Sequence, residues 1–478
     1  MSAWPQPNIV LLTIDCWRGD CLGARDGTPS PTPHLDCLAA EGTVFQQAIT
    51  CGGWTRPAMM ALFSSVYASR HYTGPTRGLS PDLPVLTEVL QSHGYETAGF
   101  TTNLLCGRSG GFERGFDTFA DLRSNQPVSA LWLKHRHRRG FTRVTDFVFS
   151  QPVVHRLLHW LRAPFTLPEI TAPARQLTDE LVSWLDKGPR TPFFLWAHYI
   201  DLHWPYRLSR RLRQPREIAQ AWRDRKTYRQ VVSSRGRFDA GPEARERWQT
   251  LYREELLTVD EQIVRLLTTL QDRGLWNDTI VVVTSDHGEE FYERGTWAHS
   301  WNQLFDEGTR VPLIVGGPGI ARGRAVDQQV SLLDVAPTLL DLARIEPPAE
   351  MLGVTLAPLL NGSAGSLNPT PVRPEAIIEM LGHRNSYRYR MAIRTESARY
   401  IHDIDAPHDN LLFDRSADPQ EAHDSYVRSQ KAARRFDELR FAHMAPIVPD
   451  LLTVAEPEAF EDEDPLVVER LRALGYIS

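Results

Sequence analysis

Four short stretches of this chain carry side chains that could act together. Asp15 directly follows the apolar run Ile9–Ile14, and Asp286, His287 and Gly288 follow the apolar run Thr279–Thr284. His198, Asp201 and His203 gather at the end of the run Phe193–Tyr199. The fourth stretch, Cys51-Gly-Gly-Trp-Thr55-Arg56-Pro57, opens the helical run Met59–Phe63. An acid or hydroxyl in such a place can serve only as a cap for orphaned backbone N–H groups. Several Asp and His residues at the carboxyl ends of strands ask for more, because carboxylates gathered out of water need a cation. Carboxylate oxygen mixed with imidazole nitrogen suits Zn²⁺ or Mn²⁺, whereas oxygen alone suits Ca²⁺ or Mg²⁺. Thr55 fits either a cap or a nucleophile toward an anionic group, since helix amides favour negative charge and a metal can hold an alkoxide.

These residues need a scaffold that brings strand ends together. Ile9–Ile14, Ala98–Thr102, Phe193–Tyr199, Thr279–Thr284 and Val311–Val315 read as buried strands. Val85–Ser92, Ala174–Leu185 and Glu243–Arg273 carry apolar stripes at helical spacing. This alternation predicts an α/β fold with a mainly parallel sheet covered on both faces, with sites at the strand carboxyl ends. After about Pro347 the character changes. Gly362–Asn368 reads as a linker, and Ile377–Met380, Tyr389–Ile393 and Tyr400–Asp403 read as a smaller sheet. The expected division is a catalytic domain over 1–365 and a C-terminal subdomain with tail over 366–478. Glu456–Asp464 is an acidic, solvated tail before a helical stretch at Leu466–Leu474. Lys134–Arg143 and Arg207–Arg237 are crowded with arginine. They read as solvated surface, or as a basic lid or lipid-facing patch that attracts an anion.

Composition excludes several classes. The chain has 478 residues, 42% hydrophobic and 23% charged, enough for a sizeable core. A net charge of −6 is not that of a polyanion binder, so nucleic acid is not expected as a partner. No apolar run approaches the ~20 residues of a membrane span. Met1–Gln6 lacks the basic start of a secretory signal, so the reading is cytoplasmic. The odd set Cys16, Cys21, Cys37, Cys51 and Cys106 reads as buried reduced thiols.

The chain also resembles the sulfatase family of the alkaline phosphatase superfamily. The likeness runs from Pro7 to Ser478 through NIVLLTIDCWRGDCLG, WTRPAMMALFSSVYASRH, HYIDLHWPY, VDEQIVRLLTTLQDRGLWNDTIVVVTSDHGEEF, FDEGTRVPLIV, SLLDVAPTLLDLARIEPP and LRALGY, in family order. It implies a large mixed, mainly parallel sheet sandwiched by helices, with a small C-terminal antiparallel sheet. It also implies Asp15, Asp286 and His287 as metal ligands, and Thr55 as a nucleophile that touches the metal. His203 and His299 resemble positions that neutralise the transferred group or protonate the leaving oxygen. His198 and Asp201 would orient His203 or help hold a metal. Arg56 would contact the anion, and Asn103 the substrate. Asp260 and Asp334 match family positions but read as caps or packing partners.

The departures from the family shape the expected activity. Type I sulfatases convert a Cys or Ser in Cys/Ser-x-Pro-x-Arg to formylglycine; here Thr55 fills the slot and Met59 replaces the Arg. Cys16 stands where an acid follows the first Asp, which removes a carboxylate and favours Mn²⁺ or Zn²⁺ over Ca²⁺ or Mg²⁺. The Asp-x-x-x-His pair of two-metal relatives is Asp201-Leu202-His203 here, with Pro at 205, so one metal is expected. The expectation is a metal-dependent hydrolase of small anionic esters, phosphate mono- or diesters ahead of sulfate. Alternatives are a sulfate ester hydrolase without formylglycine, a phospho- or sulfotransferase, and a non-catalytic binding protein.

Overall fold

A computed structural model describes residues 6–24, 27–71, 78–122, 172–204, 236–299, 304–361, 374–381, 389–404 and 409–447, with isolated positions at 206, 223–234 and 406. Lys134–Arg143, Gly362–Asn368, Glu456–Asp464, Leu466–Leu474 and most of Arg207–Arg237 lie outside the described residues.

The main sheet has eight strands: β1 (Asn8–Ile14), β2 (Thr43–Ile49), β3 (Glu96–Thr101), β4 (Thr118–Asp121), β5 (Phe193–Tyr199), β6 (Thr279–Ser285), β7 (Arg310–Gly316) and β8 (Arg324–Ser331). Their spatial order is β4-β3-β5-β1-β6-β7-β2-β8. Only β7 runs against its neighbours, antiparallel to both β6 and β2; every other pairing is parallel. The sheet is therefore mixed and mainly parallel, as its apolar runs predict. Because β7 reverses direction once, β2 again runs with β1 and β6, and the carboxyl ends of β1, β2, β3, β5 and β6 share one rim.

Central strands β1, β5 and β6 are buried along their whole length, the signature of a sheet covered on both faces. Their side chains alternate. Ile9 and Leu11 join one apolar cluster with α2 (Thr55–Ser64) and α3 (Leu86–Ser92), through Met60, Phe63, Leu86 and Leu90. Val10, Leu12 and Ile14 join another with α4 (Ala174–Asp186) and α5 (Pro242–Asp272), through Leu177, Leu181, Ile263 and Leu266. Asp260 acts as a cap: its two oxygens accept the N–H groups of His34 and Leu35, opening α1 (Pro33–Glu41), at 3.0 and 2.8 Å. Asp334 completes a capping box with Ser331 before α6 (Val335–Leu342).

The second sheet is antiparallel, in the order β12-β11-β10-β9: β9 (Ala376–Leu381), β10 (Tyr389–Arg394), β11 (Ala398–Asp403) and β12 (Leu411–Asp414). Helix α7 (Gln430–Met444) covers one face through Ala433, Phe436 and Met444. At the junction of the two sheets, Asp306 accepts from the guanidinium groups of Arg394, Arg399 and Arg415. β9 also reaches the Thr55 loop: Gly53 N–H donates to Glu379 O at 3.1 Å, Glu379 N–H to Cys51 O at 2.9 Å, and Trp54 Nε1 to Leu381 O at 3.0 Å.

The five cysteines are free. Four are buried as expected, but Cys37 is exposed on α1, since its neighbours Leu35 and Leu38 take the inward face. Among the described residues no helix is long and apolar enough to cross a membrane.

Candidate active site

Five strand ends deliver the site. Asp15 follows β1, Thr55 follows β2, Asn103 follows β3, His198 sits near the end of β5, and Asp286 and His287 follow β6. The turns after β1 and β6 are laced together. Cys16 N–H donates to Asp286 Oδ1 at 3.2 Å, Trp17 N–H to Ser285 Oγ at 2.9 Å, and Ser285 Oγ–H faces the carbonyls of Ile14 and His287 at 2.6 Å. Gly288 is required by contact: a Cβ there would lie 2.1 Å from Glu307 O, because Gly288 N–H donates to Gly308 O. The loop between β6 and β7 returns through a Phe291–Trp297 bridge and brings His299 over His287.

At the centre Thr55 Oγ1 stands 3.5 Å from Asp15 Oδ2 and 3.3 Å from His287 Nε2. Asn103 Nδ2 donates to Asp15 Oδ2 at 2.6 Å and reaches Thr55 Oγ1 at 3.5 Å, while Asn103 Oδ1 accepts from Leu105 N–H. His198 Nε2 faces Asp15 Oδ2 at 3.4 Å, with its Nδ1 2.8 Å from Thr13 Oγ1. All of these side chains are buried. Thr55 begins a ten-residue helix, with Arg56 and Pro57 in its first turn, where a proline is tolerated. Arg56 is buried, near enough to Cys106 to favour its thiolate.

The donor set fits a cation. His287 Nδ1 lies 2.7 Å from Gly288 O, an acceptor only, so this nitrogen carries the hydrogen. Its Nε2 then points a lone pair at Asp286 Oδ2 (3.5 Å) and Asp15 Oδ1 (3.7 Å). Asp286 Oδ2 is buried and accepts no hydrogen bond. Such a group of acceptors is stable only around positive charge. Burial acts to raise the Asp15 carboxyl, but the His198 hydrogen bond and the charges of His203 and His287 hold it well below the usual carboxylate range. Burial and the Asp15 charge push Asp286 up. Ligand atoms of Asp15, His198 and Asp286 lie within 4.8 Å of one another, as do those of Cys16, His287 and His299.

His203 and His299 flank this centre, with ring centroids 4.6 Å apart. His203 Nδ1 is 2.6 Å from Trp204 O, and burial together with His299 lowers its pKa to about 4. Asp201 does not join the cluster. Its Oδ1 accepts the Ala174 N–H at 3.0 Å, which caps α4. Two residues escape sequence reasoning. Glu289, fully buried, stands 3.5 Å from His299 Nδ1, and burial raises its carboxyl to about 7. Its only sequence signal is its place in Asp-His-Gly-Glu. Cys16, read above as a lost carboxylate, donates through Sγ to Asp15 Oδ1 at 2.9 Å.

A mixed sheet with a buried carboxylate–imidazole–hydroxyl cluster at its carboxyl rim defines an α/β hydrolase of anionic esters. The family model named Sulfatase matches residues 7–345, and one described as N-sulphoglucosamine sulphohydrolase, C-terminal, matches 295–440. The chain belongs to the sulfatase family and is a hydrolase acting on ester bonds. It is 23% identical to an N-acetylglucosamine-6-O-sulfatase of Bacteroides thetaiotaomicron, over 90% of this chain and 84% of that one. It is 24% identical to arylsulfatase K of Gallus gallus, over 91% and 82%. Its fold matches the crystal structure of a phosphonate monoester hydrolase of Agrobacterium radiobacter with a TM-score of 0.67 at 21% identity, covering 93% of this chain and 96% of that one.

Proposed function

We propose that this chain hydrolyses small anionic esters by in-line displacement, with Thr55 as the nucleophile and phosphate mono- or diesters, or phosphonate esters, ahead of sulfate esters. The observation that carries this reading is Thr55 Oγ1 at hydrogen-bonding range of Asp15 Oδ2 and His287 Nε2 in a buried cluster. Asp15, Asp286, His287 and Thr55 would hold one divalent cation, Zn²⁺ or Mn²⁺ by their mixed oxygen and nitrogen donors. When bound there, the cation supplies a lowered pKa for the Thr55 hydroxyl and positive charge against the ester oxygens.

The residues divide the chemistry. Asn103 Nδ2 and the first amides of α2 orient the anion's oxygens, with Arg56 adding charge at the same helix end. The Thr55 proton leaves toward Asp15 Oδ2 as the Oγ1–phosphorus bond forms and the bond to the leaving oxygen breaks. Protonated His299 gives its proton to that oxygen. Neutral His299 then takes a proton from the attacking water, which cleaves the Thr55 ester, and Asp15 returns its proton to Thr55 Oγ1. His203 offers a second imidazole beside the leaving group.

The phosphate preference follows from the nucleophile. A threonine ester carries no second hydroxyl on its carbon and so lacks the elimination route of a formylglycine hydrate. Met59 lies fully buried among apolar side chains and places no charge at that turn. The sulfatase names of the relatives favour sulfate esters as the second reading. A parallel assay of aryl phosphate monoester, phosphodiester, phosphonate ester and sulfate across Zn²⁺, Mn²⁺, Ca²⁺ and Mg²⁺ tests the choice. Turnover of the sulfate alone would reject the phosphate reading.

A further inference from the structure

Cys16 is held in an unusual way. Its φ of 61° is left-handed, a conformation that strains a residue with a Cβ. Three bonds fix it there: its N–H on Asp286 Oδ1, its carbonyl accepting Tyr252 O–H at 2.8 Å, and its Sγ at 2.9 Å from Asp15 Oδ1. The side chain is fully buried, and its Sγ is also 3.8 Å from His299 Nδ1. Sulfur, His287 and His299 offer ligand atoms within 4.8 Å of one another, and Asp286 Oδ2, buried without a hydrogen bond, faces the same centre. A plain core cysteine needs neither the strained backbone nor three anionic neighbours.

We propose that Cys16 is a thiolate ligand of the divalent cation, completing with Asp15, Asp286 and His287 a mixed sulfur, nitrogen and oxygen set. The inference rests on the reading of those three residues as metal ligands. Binding exchanges the Cys16 Sγ–H bond for a sulfur–metal bond and releases the proton to solvent. Sulfur is a soft donor, so the set selects Zn²⁺, and Co²⁺ in its place, over Ca²⁺, Mg²⁺ and Mn²⁺.

The test uses the full chain in a Cys37→Ser background, which removes the exposed thiol. The stripped protein is reloaded with Co²⁺, the metal bound per chain is counted, and the near-ultraviolet spectrum is recorded. One cobalt with a thiolate-to-metal charge-transfer band is expected, and Cys16→Ser keeps the cobalt and loses the band. X-ray absorption of the Zn²⁺-loaded chain, expected to find one sulfur neighbour, decides the matter even if Cys16→Ser fails to fold. Cys16→Asp should move the Zn²⁺ to Ca²⁺ preference toward Ca²⁺ by roughly tenfold or more. One bound metal with no band and no sulfur neighbour overturns the thiolate ligand and leaves the metal reading standing. No bound metal at all overturns both.

Discussion

Thr55 carries an ordinary secondary alcohol, and its reactivity is set by what surrounds the oxygen. Thr55→Ala should lower kcat on an aryl phosphodiester by roughly 10³–10⁶-fold, the range for removal of a nucleophile, with circular dichroism unchanged. Thr55→Ser keeps the oxygen and should retain most of the activity. His299 is assigned to the leaving group. His299→Asn should therefore cost roughly 10²–10⁴-fold on an alkyl ester and much less on a nitrophenyl ester, whose leaving oxygen needs no proton. Equal losses on both substrates would place His299 elsewhere in the mechanism. Much of this cluster was legible, because Asp15, Asp286 and His287 each end an apolar run. Glu289 and the role of Cys16 were not, since a buried acid and a buried thiol have no periodicity and acquire meaning only from neighbours distant in sequence. Asp201 misled for the same reason: a carboxylate beside two histidines looks like a ligand until the helix it caps is seen.

Elements differ in how openly they declare themselves. Strands β1, β5 and β6 were readable as unbroken apolar runs because both their faces are covered. β2 and β8 were not. Gln46 and Gln47 interrupt β2 where its register shifts against both neighbours, and β8 carries Asp327, Gln328 and Gln329. Gln329 is nonetheless buried, bonded to the Arg394 carbonyl and guanidinium. A polar residue with a distant buried partner cannot be told from a loop residue in sequence. The caps were readable by type and position, and Asp260 permits a test. Asp260→Ala strips both acceptors from the start of α1 and should cost about 1–2 kcal/mol. The expected readout is a lower urea midpoint with an unchanged slope.

At the scale of the whole molecule, Asp306 binds the two sheets. Arg394 and Arg399 are fully buried, so Asp306→Ala would leave uncompensated charge and should destabilise the chain by about 3–5 kcal/mol, measured by denaturant unfolding. Acid should act in the same direction. Against the effect of burial, Arg399 and Arg394 hold Asp306 well below the usual carboxylate range, and the His443 and Ser69 bonds lower Glu379. Both contribute stability that is present above the ordinary carboxylate pKa and lost as pH falls. His71, buried and bonded to Ser64 and the Ser80 N–H, is lowered from 6.5 to about 4. Unfolding lets it take up a proton, so its contribution is complete above pH 6.5 and declines toward pH 4. Melting temperature should therefore fall steadily from pH 7 to pH 4; a flat profile would contradict these assignments. The small sheet has one more consequence. Gly52, whose Cβ would lie 2.4 Å from Ala58 N, has no room to shift, and the loop it belongs to is stitched to β9. A chimera that exchanges the carboxyl-terminal third for a relative's would thus retune the reacting oxygen itself, and a truncated version ending before β9 would lose catalysis ahead of foldedness.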